Sequence, residues 1–282
     1  MKPQPAQPPP ELHHWRDSMQ ARIRTFAVLL AAAVAIPAFA ADNPWFGTWK
    51  LDPAKSHMTG ETFTYSKTAN GMDHFTNGAL SFDFTANGLD YPVMGGETTS
   101  WVSTGPNEWK TTDKMNGKET NSSVVKLSAD CKTMTETTTG TRPDGTDIHN
   151  VTVFTKAKSG DGCLEGTWKS TKVSQSAPGS FVISQGGSAD AWKWEIPGWK
   201  ETVEGKADGT DLPLTGPQVP ADMTVAFKAD GARKLSFEVK QAGKSIEKGE
   251  QVLAPNGKSF TETSWTPGKE NEKQTYVFNK QG

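Results

Sequence analysis

The tetrapeptide "GTWK" occurs twice in this chain, first at residues 47–50 and again at residues 166–169. Three further pairs of similar segments follow in the same order, namely 88–96 with 209–217, 132–140 with 258–266, and 153–156 with 277–280. Four ordered pairs indicate a tandem duplication. We expect one copy at residues 45–157 and a second at residues 164–280, joined by a polar, Gly-rich linker at residues 158–163.

The pattern inside each copy is that of β-strands. Apolar and polar side chains alternate with a period of two in residues 80–85, 192–196, 223–228 and 235–239, as expected for strands with one buried face. Asn-Gly and Asp-Gly pairs recur between such segments and favour hairpin turns. The sequence therefore predicts an all-β protein with about seven to nine strands per copy, folded as two tandem antiparallel β-barrels or, alternatively, as two β-sandwiches.

Residues 19–40 have the features of a secretory signal peptide. Arg22 and Arg24 precede an apolar run, and Ala38-Phe39-Ala40 provides an A-x-A cleavage signature. The run is shorter than the roughly 20 apolar residues that a membrane span needs. We therefore expect a signal-peptide helix, and no membrane span after its cleavage.

Cleavage near Ala40–Ala41 predicts a periplasmic or extracellular protein. Residues 1–18 are Pro-rich. They predict either a disordered leader or a start codon assigned too early, with Met19 as the true start.

The two cysteines, Cys131 and Cys163, have no metal-type spacing. In an oxidising compartment such a pair predicts one disulfide, and two unpaired thiols are the alternative.

Composition and motifs exclude several classes of function. The formal net charge is −2 and no basic cluster is present, so we expect no nucleic-acid partner. His57, His74 and His149 are isolated, which predicts no metal site. The chain has no Gly-x-Ser-x-Gly elbow, P-loop or dinucleotide-binding motif, and we therefore expect no cofactor, no catalytic residues and no enzyme activity.

Glu136 and Glu262 occupy equivalent places in the two copies, each between two threonines. On a strand, Glu136 shares a face with Met134, and Glu262 shares one with Phe260. If that face points inward, each copy holds an interior glutamate with a raised pKa or a bound partner, which can orient a ligand or act as an acid or base. The alternative is that both carboxylates point into water beside a lysine.

Aromatic side chains give the other candidates for ligand contact. The segment "AWKWEIPGWKE" at residues 191–201 places Trp192 and Trp194 on one strand face and Trp199 after a Pro-Gly break. Indole rings form platforms for flat ligands, but the core of a sheet shows the same pattern; we expect Trp192 and Trp194 in the core and Trp199 exposed. The candidate ligand-binding residues are Tyr65, Phe82, Phe84, Trp101, Glu136, Trp192, Trp194 and Glu262.

The Gly-x-Trp unit that opens each copy resembles the start of the first strand in lipocalins and other calycins. The wider pattern "GTWKLDPAKS", "DYPVMG", "DCKTMTETTTGTRPDG" and "NVTVFTK" resembles a family of uncharacterised secreted bacterial proteins described as lipocalin-like, although the second copy lacks the "LDPAKS" continuation. The resemblance implies export and a barrel fold in which Trp49 and Trp168 have structural roles, each closing one end of a barrel. It implies no activity.

Two functions fit these expectations. The first is a non-enzymatic exported protein that binds a small apolar or amphipathic molecule, because small closed barrels can hold one ligand. The alternative is a structural or protein-interaction module of the cell envelope, with both barrels filled by side chains. The sequence does not identify a protein partner.

Overall fold

The structure is a computed structural model that describes residues 43–177 and 179–282. The leader at 1–18, the signal peptide at 19–40 and the cleavage site at Ala40–Ala41 lie outside the described residues. In the described part of the chain we find twenty strands, one short 3-10 helix at Pro197–Trp199, and no α-helix.

The strands are, in chain order, β1 (Gly47–Leu51), β2 (Thr62–Lys67), β3 (Asp73–Thr76), β4 (Ser81–Phe84), β5 (Asn87–Met94), β6 (Glu97–Gly105), β7 (Glu108–Met115), β8 (Lys118–Leu127), β9 (Thr133–Thr141), β10 (Asp147–Ser159), β11 (Gly166–Ser174), β12 (Ser180–Gln185), β13 (Ala191–Ile196), β14 (Glu201–Lys206), β15 (Asp208–Pro213), β16 (Met223–Ala229), β17 (Lys234–Gln241), β18 (Lys244–Leu253), β19 (Ser259–Trp265) and β20 (Gln274–Lys280).

These strands form two ten-stranded antiparallel sheets, each curled into a nearly closed barrel. The first barrel has the order β4-β3-β2-β11-β10-β9-β8-β7-β6-β5, and the second has the order β14-β13-β12-β1-β20-β19-β18-β17-β16-β15. The prediction of an all-β fold with two tandem barrels is confirmed, but each barrel has more strands than the seven to nine expected. β3 has only four residues, which gives too little alternation for it to be counted from sequence.

The edges of the second barrel meet between β14 and the residues that follow β15. Thr202 and Thr215 form an isolated bridge there, and each backbone N–H donates to the other residue's carbonyl oxygen, at 2.9 and 3.0 Å. Closure of this kind satisfies edge groups that an open sheet would leave unpaired.

The barrels do not follow the boundaries of the sequence copies, because β1 and β11 are exchanged. β1 lies between β12 and β20 in the second barrel, and β11 lies between β10 and β2 in the first. The first barrel is therefore the continuous segment 62–174. The second barrel combines 180–280 with the distant residues 47–51.

Chain connectivity explains the exchange. Only residues 160–165 separate β10 from β11, and a loop of that length favours pairing between consecutive antiparallel strands over a crossing to the other barrel. β1 carries the same "GTWK" sequence as β11, so it can fill the place that β11 leaves between β12 and β20.

The two exchanged strands make matching contacts. Trp49 and Trp168 are both fully buried. The indole N–H of each donates to a carbonyl oxygen four residues earlier, that of Trp45 or Leu164, at 2.8 Å. Each ring also lies under a lysine from a neighbouring strand: Lys280 Nζ on β20 is 5.0 Å from the Trp49 ring, and Lys156 Nζ on β10 is 4.7 Å from the Trp168 ring.

A disulfide joins Cys131, in the β8–β9 turn, to Cys163, in the β10–β11 loop, with Cα atoms 5.1 Å apart. It ties together two loops of the first barrel.

Polar contacts connect the two barrels. The Glu272 carboxylate accepts hydrogen bonds from the backbone N–H of Thr62, at 2.9 Å, and from its hydroxyl. The tight turn after β5 also reaches across, since Ala221 N–H donates to the Gly95 carbonyl at 3.0 Å. Gly95 has φ +45°, and a Cβ there would lie 2.7 Å from Pro220, so this contact requires glycine.

Candidate functional site

The interior of the second barrel contains a cavity of about 70 Å³. Its walls are mostly apolar and come from seven strands, β12 to β14 and β16 to β19, together with Leu214, which follows β15. The lining residues are Phe181, Ile183, Trp194, Ile196, Glu201, Thr202, Val203, Leu214, Val225, Phe227, Phe237, Val239, Glu247, Gln251 and Glu262. Phe181, Ile196 and Leu214 are partly exposed, so the cavity reaches the surface on their side.

A small polar group of side chains lies in this apolar wall. Gln251 on β18 and Glu262 on β19 face each other across the strand pair, and the Gln251 amide Nε2 donates to Glu262 Oε2 at 2.7 Å. Glu201 and Glu247 complete the polar part of the lining. All four side chains belong to residues that are at most 4% exposed.

Gln251 and Trp194 contribute two polar atoms to the lining that have no hydrogen-bond partner in the described part of the chain. They are the amide oxygen Oε1 of Gln251 and the indole Nε1 of Trp194, and both residues are 96% buried, with 4% exposed. A buried polar group without a partner costs roughly 1–3 kcal/mol of stability. Through these two residues the cavity offers a free acceptor and a free donor to whatever occupies it.

Burial raises the pKa of Glu262 to about 8. Desolvation of the charged form is the largest cause, the hydrogen bond from Gln251 acts in the opposite direction, and the nearby Glu247 raises the pKa further. In the described structure no lysine, arginine or histidine lines the cavity. Glu262 therefore carries its proton at neutral pH when the cavity holds no cation.

Aromatic rings form one wall of the cavity. Trp194 stacks on Phe227 with ring centroids 4.1 Å apart and an interplanar angle of 10°. Trp192, on the same strand, is partly exposed and packs edge-on against Phe46 at 5.5 Å. Trp192 does not line the cavity.

The first barrel contains a smaller cavity of about 50 Å³. Tyr65, Phe82, Trp101 and Glu136 all line it. Phe84 is fully buried behind them and stacks on Trp101 at 4.5 Å.

The polar lining of this first cavity is more fully paired. The Asp113 carboxylate accepts hydrogen bonds from the Thr99 hydroxyl at 2.7 Å and the Asn121 amide at 2.8 Å. Glu97 and Glu136 also contribute to the lining. This interior resembles a self-contained polar network more than an open binding site.

The two cavities contain six of the eight predicted ligand-binding residues: Tyr65, Phe82, Trp101 and Glu136 line the first, Trp194 and Glu262 line the second, and Phe84 and Trp192 line neither. Glu262 is buried in the lining of the second cavity, as the inward interpretation expected, whereas Glu136 lines the first cavity and remains partly exposed. The prediction that Trp199 is exposed is wrong, since only 4% of it is accessible. It is covered by Arg142, whose guanidinium lies 5.8 Å from the ring. Burial of Arg142 lowers its pKa to about 9.

Sequence reasoning missed Glu201, Glu247 and Gln251. On β18 the inward face reads Glu247, Gly249, Gln251 and Leu253, and polar residues at alternate positions are normally assigned to the solvent side. The glycine at position 249 is the sequence feature that could have indicated an inward face, because glycine inside a strand often marks the close approach of a neighbour. In the structure, a Cβ at Gly249 would lie 2.3 Å from the Phe237 ring.

Among residues 43–177 and 179–282, no group of three or more His, Cys, Asp or Glu side chains is placed to hold a metal ion. The same residues include no helix with the length and apolar character of a membrane span. Comparison with protein-family models, curated proteins and solved structures finds no match to this chain.

Proposed function

We propose that this chain is an exported, non-enzymatic binding protein that holds one small amphipathic molecule inside its second barrel. The apolar part of the ligand lies against Trp194, Phe227 and Val225, and its polar head lies at Gln251 and Glu262. The observation that carries the proposal is the pair of buried, unpartnered polar atoms, Gln251 Oε1 and Trp194 Nε1, in a mostly apolar cavity.

The size of the cavity limits the ligand. One water requires about 10–15 Å³ of cavity volume, so about 70 Å³ has room for about five to seven water-sized groups. A head group with both a donor and an acceptor can pair Gln251 Oε1 and Trp194 Nε1, while a short apolar tail displaces water from the aromatic wall. A molecule of about seven non-hydrogen atoms fits this description.

The contacts inside the first barrel support a different role for it. Its Asp113 carboxylate is paired by Thr99 and Asn121, and its loops are joined by the Cys131–Cys163 disulfide. These features support a structural function for this barrel, in line with the filled-barrel alternative. We propose that the first barrel serves as the rigid support of the second.

The lipocalin-like assignment is part of the proposal. It is supported by the Gly-x-Trp start of β1 and β11 and by the matching burial of Trp49 and Trp168. Export to the periplasm or the medium is proposed from the signal-like residues 19–40.

The test uses the mature chain, isothermal titration calorimetry and tryptophan fluorescence. The ligand panel has a five-carbon chain with varied polar heads: pentanol, pentylamine, pentanoic acid, pentane-1,2-diol and norvalinol, the amino alcohol with the same chain. We expect at least one compound to bind 1:1 with a dissociation constant below about 1 mM, which corresponds to roughly −4 kcal/mol.

Two variants locate the site. Trp194→Phe should weaken binding and remove most of the fluorescence change, whereas Trp265→Phe, on the partly exposed side of β19, should do neither. If no compound binds the wild-type chain at millimolar concentration, the second barrel is not a binding site of this kind.

A further inference from the structure

We propose that the ligand of the second barrel is a small amino alcohol, bound as an ammonium ion beside Gln251 and Glu262. The inference rests on the proposed function and adds the charge and the hydrogen-bonding pattern of the head group. It is argued from the composition of the cavity wall, from the two unpartnered atoms and from the proton balance of binding.

The ionisable side chains in the lining are all acidic. Three carboxyl groups line the cavity, from Glu201 on β14, Glu247 on β18 and Glu262 on β19, and in the described part of the chain no basic side chain lines it with them. The charged form of buried Glu262 is costly, and this cost falls when a cation enters the same low-dielectric space. An anionic head would place a negative charge beside these carboxyl groups with no basic side chain in the lining to balance it, so the wall selects against acids.

Gln251 gives an independent indication of a donor-rich head. Its Nε2 is used in the hydrogen bond to Glu262, and its Oε1 is buried without a partner. An ammonium group has three N–H donors and no acceptor. It can therefore donate to Gln251 Oε1 and to the neighbouring carboxylate at the same time, and hydrogen bonds of this charge-assisted kind are stronger than neutral ones.

Trp194 requires a different atom from the ligand. Its Nε1–H is a donor without a partner, and an ammonium ion has no lone pair to offer it. A hydroxyl oxygen next to the ammonium group fills this need, which is why we infer an amino alcohol rather than a simple amine. The aromatic wall formed by Trp194 and its stacked partner Phe227 accommodates the alkyl chain, and the ring faces also attract cations.

Binding of the ammonium ion changes the protonation of Glu262. In the empty cavity its carboxyl group holds a proton, because the pKa is raised to about 8. When the cation arrives, the O–H bond of the carboxyl group breaks, the carboxylate pairs with the ammonium group, and the proton leaves to solvent. The charged or titratable groups around Glu262 are Glu247, Glu201 and, on the adjacent strand β20, Tyr276.

The sign of the pH effect follows from this exchange. Because Glu262 must lose its proton, the affinity for norvalinol should rise about tenfold between pH 6 and pH 7 and level off above about pH 8. Pentane-1,2-diol has the same number of non-hydrogen atoms but no charge, and its affinity should stay constant within about twofold over this range.

The experiment compares norvalinol, pentylamine, pentane-1,2-diol and pentanoic acid in calorimetric titrations of the mature chain at pH 6, 7 and 8. We expect norvalinol to bind at least tenfold more tightly than the diol at pH 8, pentylamine to lie between them, and the acid to bind most weakly. Titration at pH 7 in buffers with different ionisation enthalpies should show release of close to one proton per norvalinol bound.

Glu262→Gln keeps the size and the hydrogen-bonding capacity of the side chain while removing its charge. It should reduce the norvalinol-to-diol affinity ratio about tenfold and abolish the proton release. The exposed substitution Glu119→Gln serves as the control and should preserve both.

The outcomes separate the two proposals. If the diol or the acid binds as tightly as norvalinol, or if norvalinol binds without proton release, the amino-alcohol inference is overturned while the binding function stands. If none of the compounds binds, both are overturned.

Discussion

Glu262 makes the stability of the second barrel depend on pH. Its carboxyl group is 2% exposed and has a pKa of about 8, against 4.5 in the absence of perturbation. As pH rises from about 4.5 to 8, the unfolded chain releases this proton and the folded chain retains it, so the free energy of unfolding decreases. The cumulative loss is on the order of 4–5 kcal/mol before other carboxyl groups are counted.

We predict that Glu262→Gln removes this loss. The amide can still pair with Gln251, since either side-chain amide can present an oxygen or an N–H to the other, and it has no charge to desolvate. Urea unfolding measured at half-unit intervals between pH 4.5 and 8.5 should show a shallower decline for the variant than for the wild-type chain.

Glu119 provides the matched comparison because it is exposed on β8. Glu119→Gln should follow the wild-type pH profile. A wild-type profile that stays flat up to pH 8.5, or an equal decline in Glu262→Gln, would show that Glu262 is ionised in the folded state.

At the level of single residues, the alternation of side chains indicated correctly that Trp194 faces the interior. The same alternation did not decide whether Glu262 is buried or exposed, because a polar residue on a strand does not indicate which way its face points. Glu247 and Gln251 were missed for a related reason: burial of a carboxyl group depends on contacts between strands that are distant in sequence, and no local pattern reports those contacts.

Because β1 is exchanged, Trp49 belongs to the first sequence copy but packs in the second barrel. Trp49 packs on Phe260 with ring centroids 5.0 Å apart, and Phe260 belongs to β19 of the second barrel. We predict that Trp49→Ala destabilises the second barrel by roughly 3–5 kcal/mol. In hydrogen-exchange mass spectrometry, protection should fall in residues 180–280 and be retained in residues 62–174.

Trp168→Ala gives the reciprocal control. Its ring lies in the core of the first barrel, so protection should fall in residues 62–174 instead. If Trp49→Ala reduces protection mainly in residues 62–127, β1 belongs to the first barrel and the strands are not exchanged.

We expect the disulfide to stabilise the first barrel and not the second. It closes a loop between Cys131 and Cys163, which are separated by 32 positions, and a loop of this size gives about 3–4 kcal/mol of stabilisation in the chain-entropy description. The double variant Cys131→Ser/Cys163→Ser should lose about this amount in the urea transition of the first barrel. Hydrogen exchange in β16–β19 should remain unchanged; equal loosening of both barrels would contradict this assignment.

On the scale of the whole molecule, the sequence predicted two related barrels but not how the chain divides between them. The four ordered pairs of similar segments reveal the duplication, and they are consistent with exchanged as well as unexchanged first strands. Since β1 and β11 both begin with "GTWK", either strand supplies the Trp that each barrel needs. The choice between them is made by loop length and chain connectivity, which act after the local pattern has been satisfied.

This division predicts which fragment of the chain folds alone. Residues 58–177 include all ten strands of the first barrel, β2 to β11, together with the disulfide. We expect this fragment to be monomeric and to unfold cooperatively in urea.

Residues 58–160 lack β11 and should not fold cooperatively, because β2 and β10 would each lose a pairing partner and the core would lose Trp168. The shorter fragment also lacks Cys163, so the fair comparison is the longer fragment carrying Cys131→Ser and Cys163→Ser. That variant should remain folded with lowered stability, as judged by near-ultraviolet circular dichroism. A folded 58–160 fragment would show that β11 is dispensable to the first barrel, and the exchange of β1 and β11 would then lose its energetic basis.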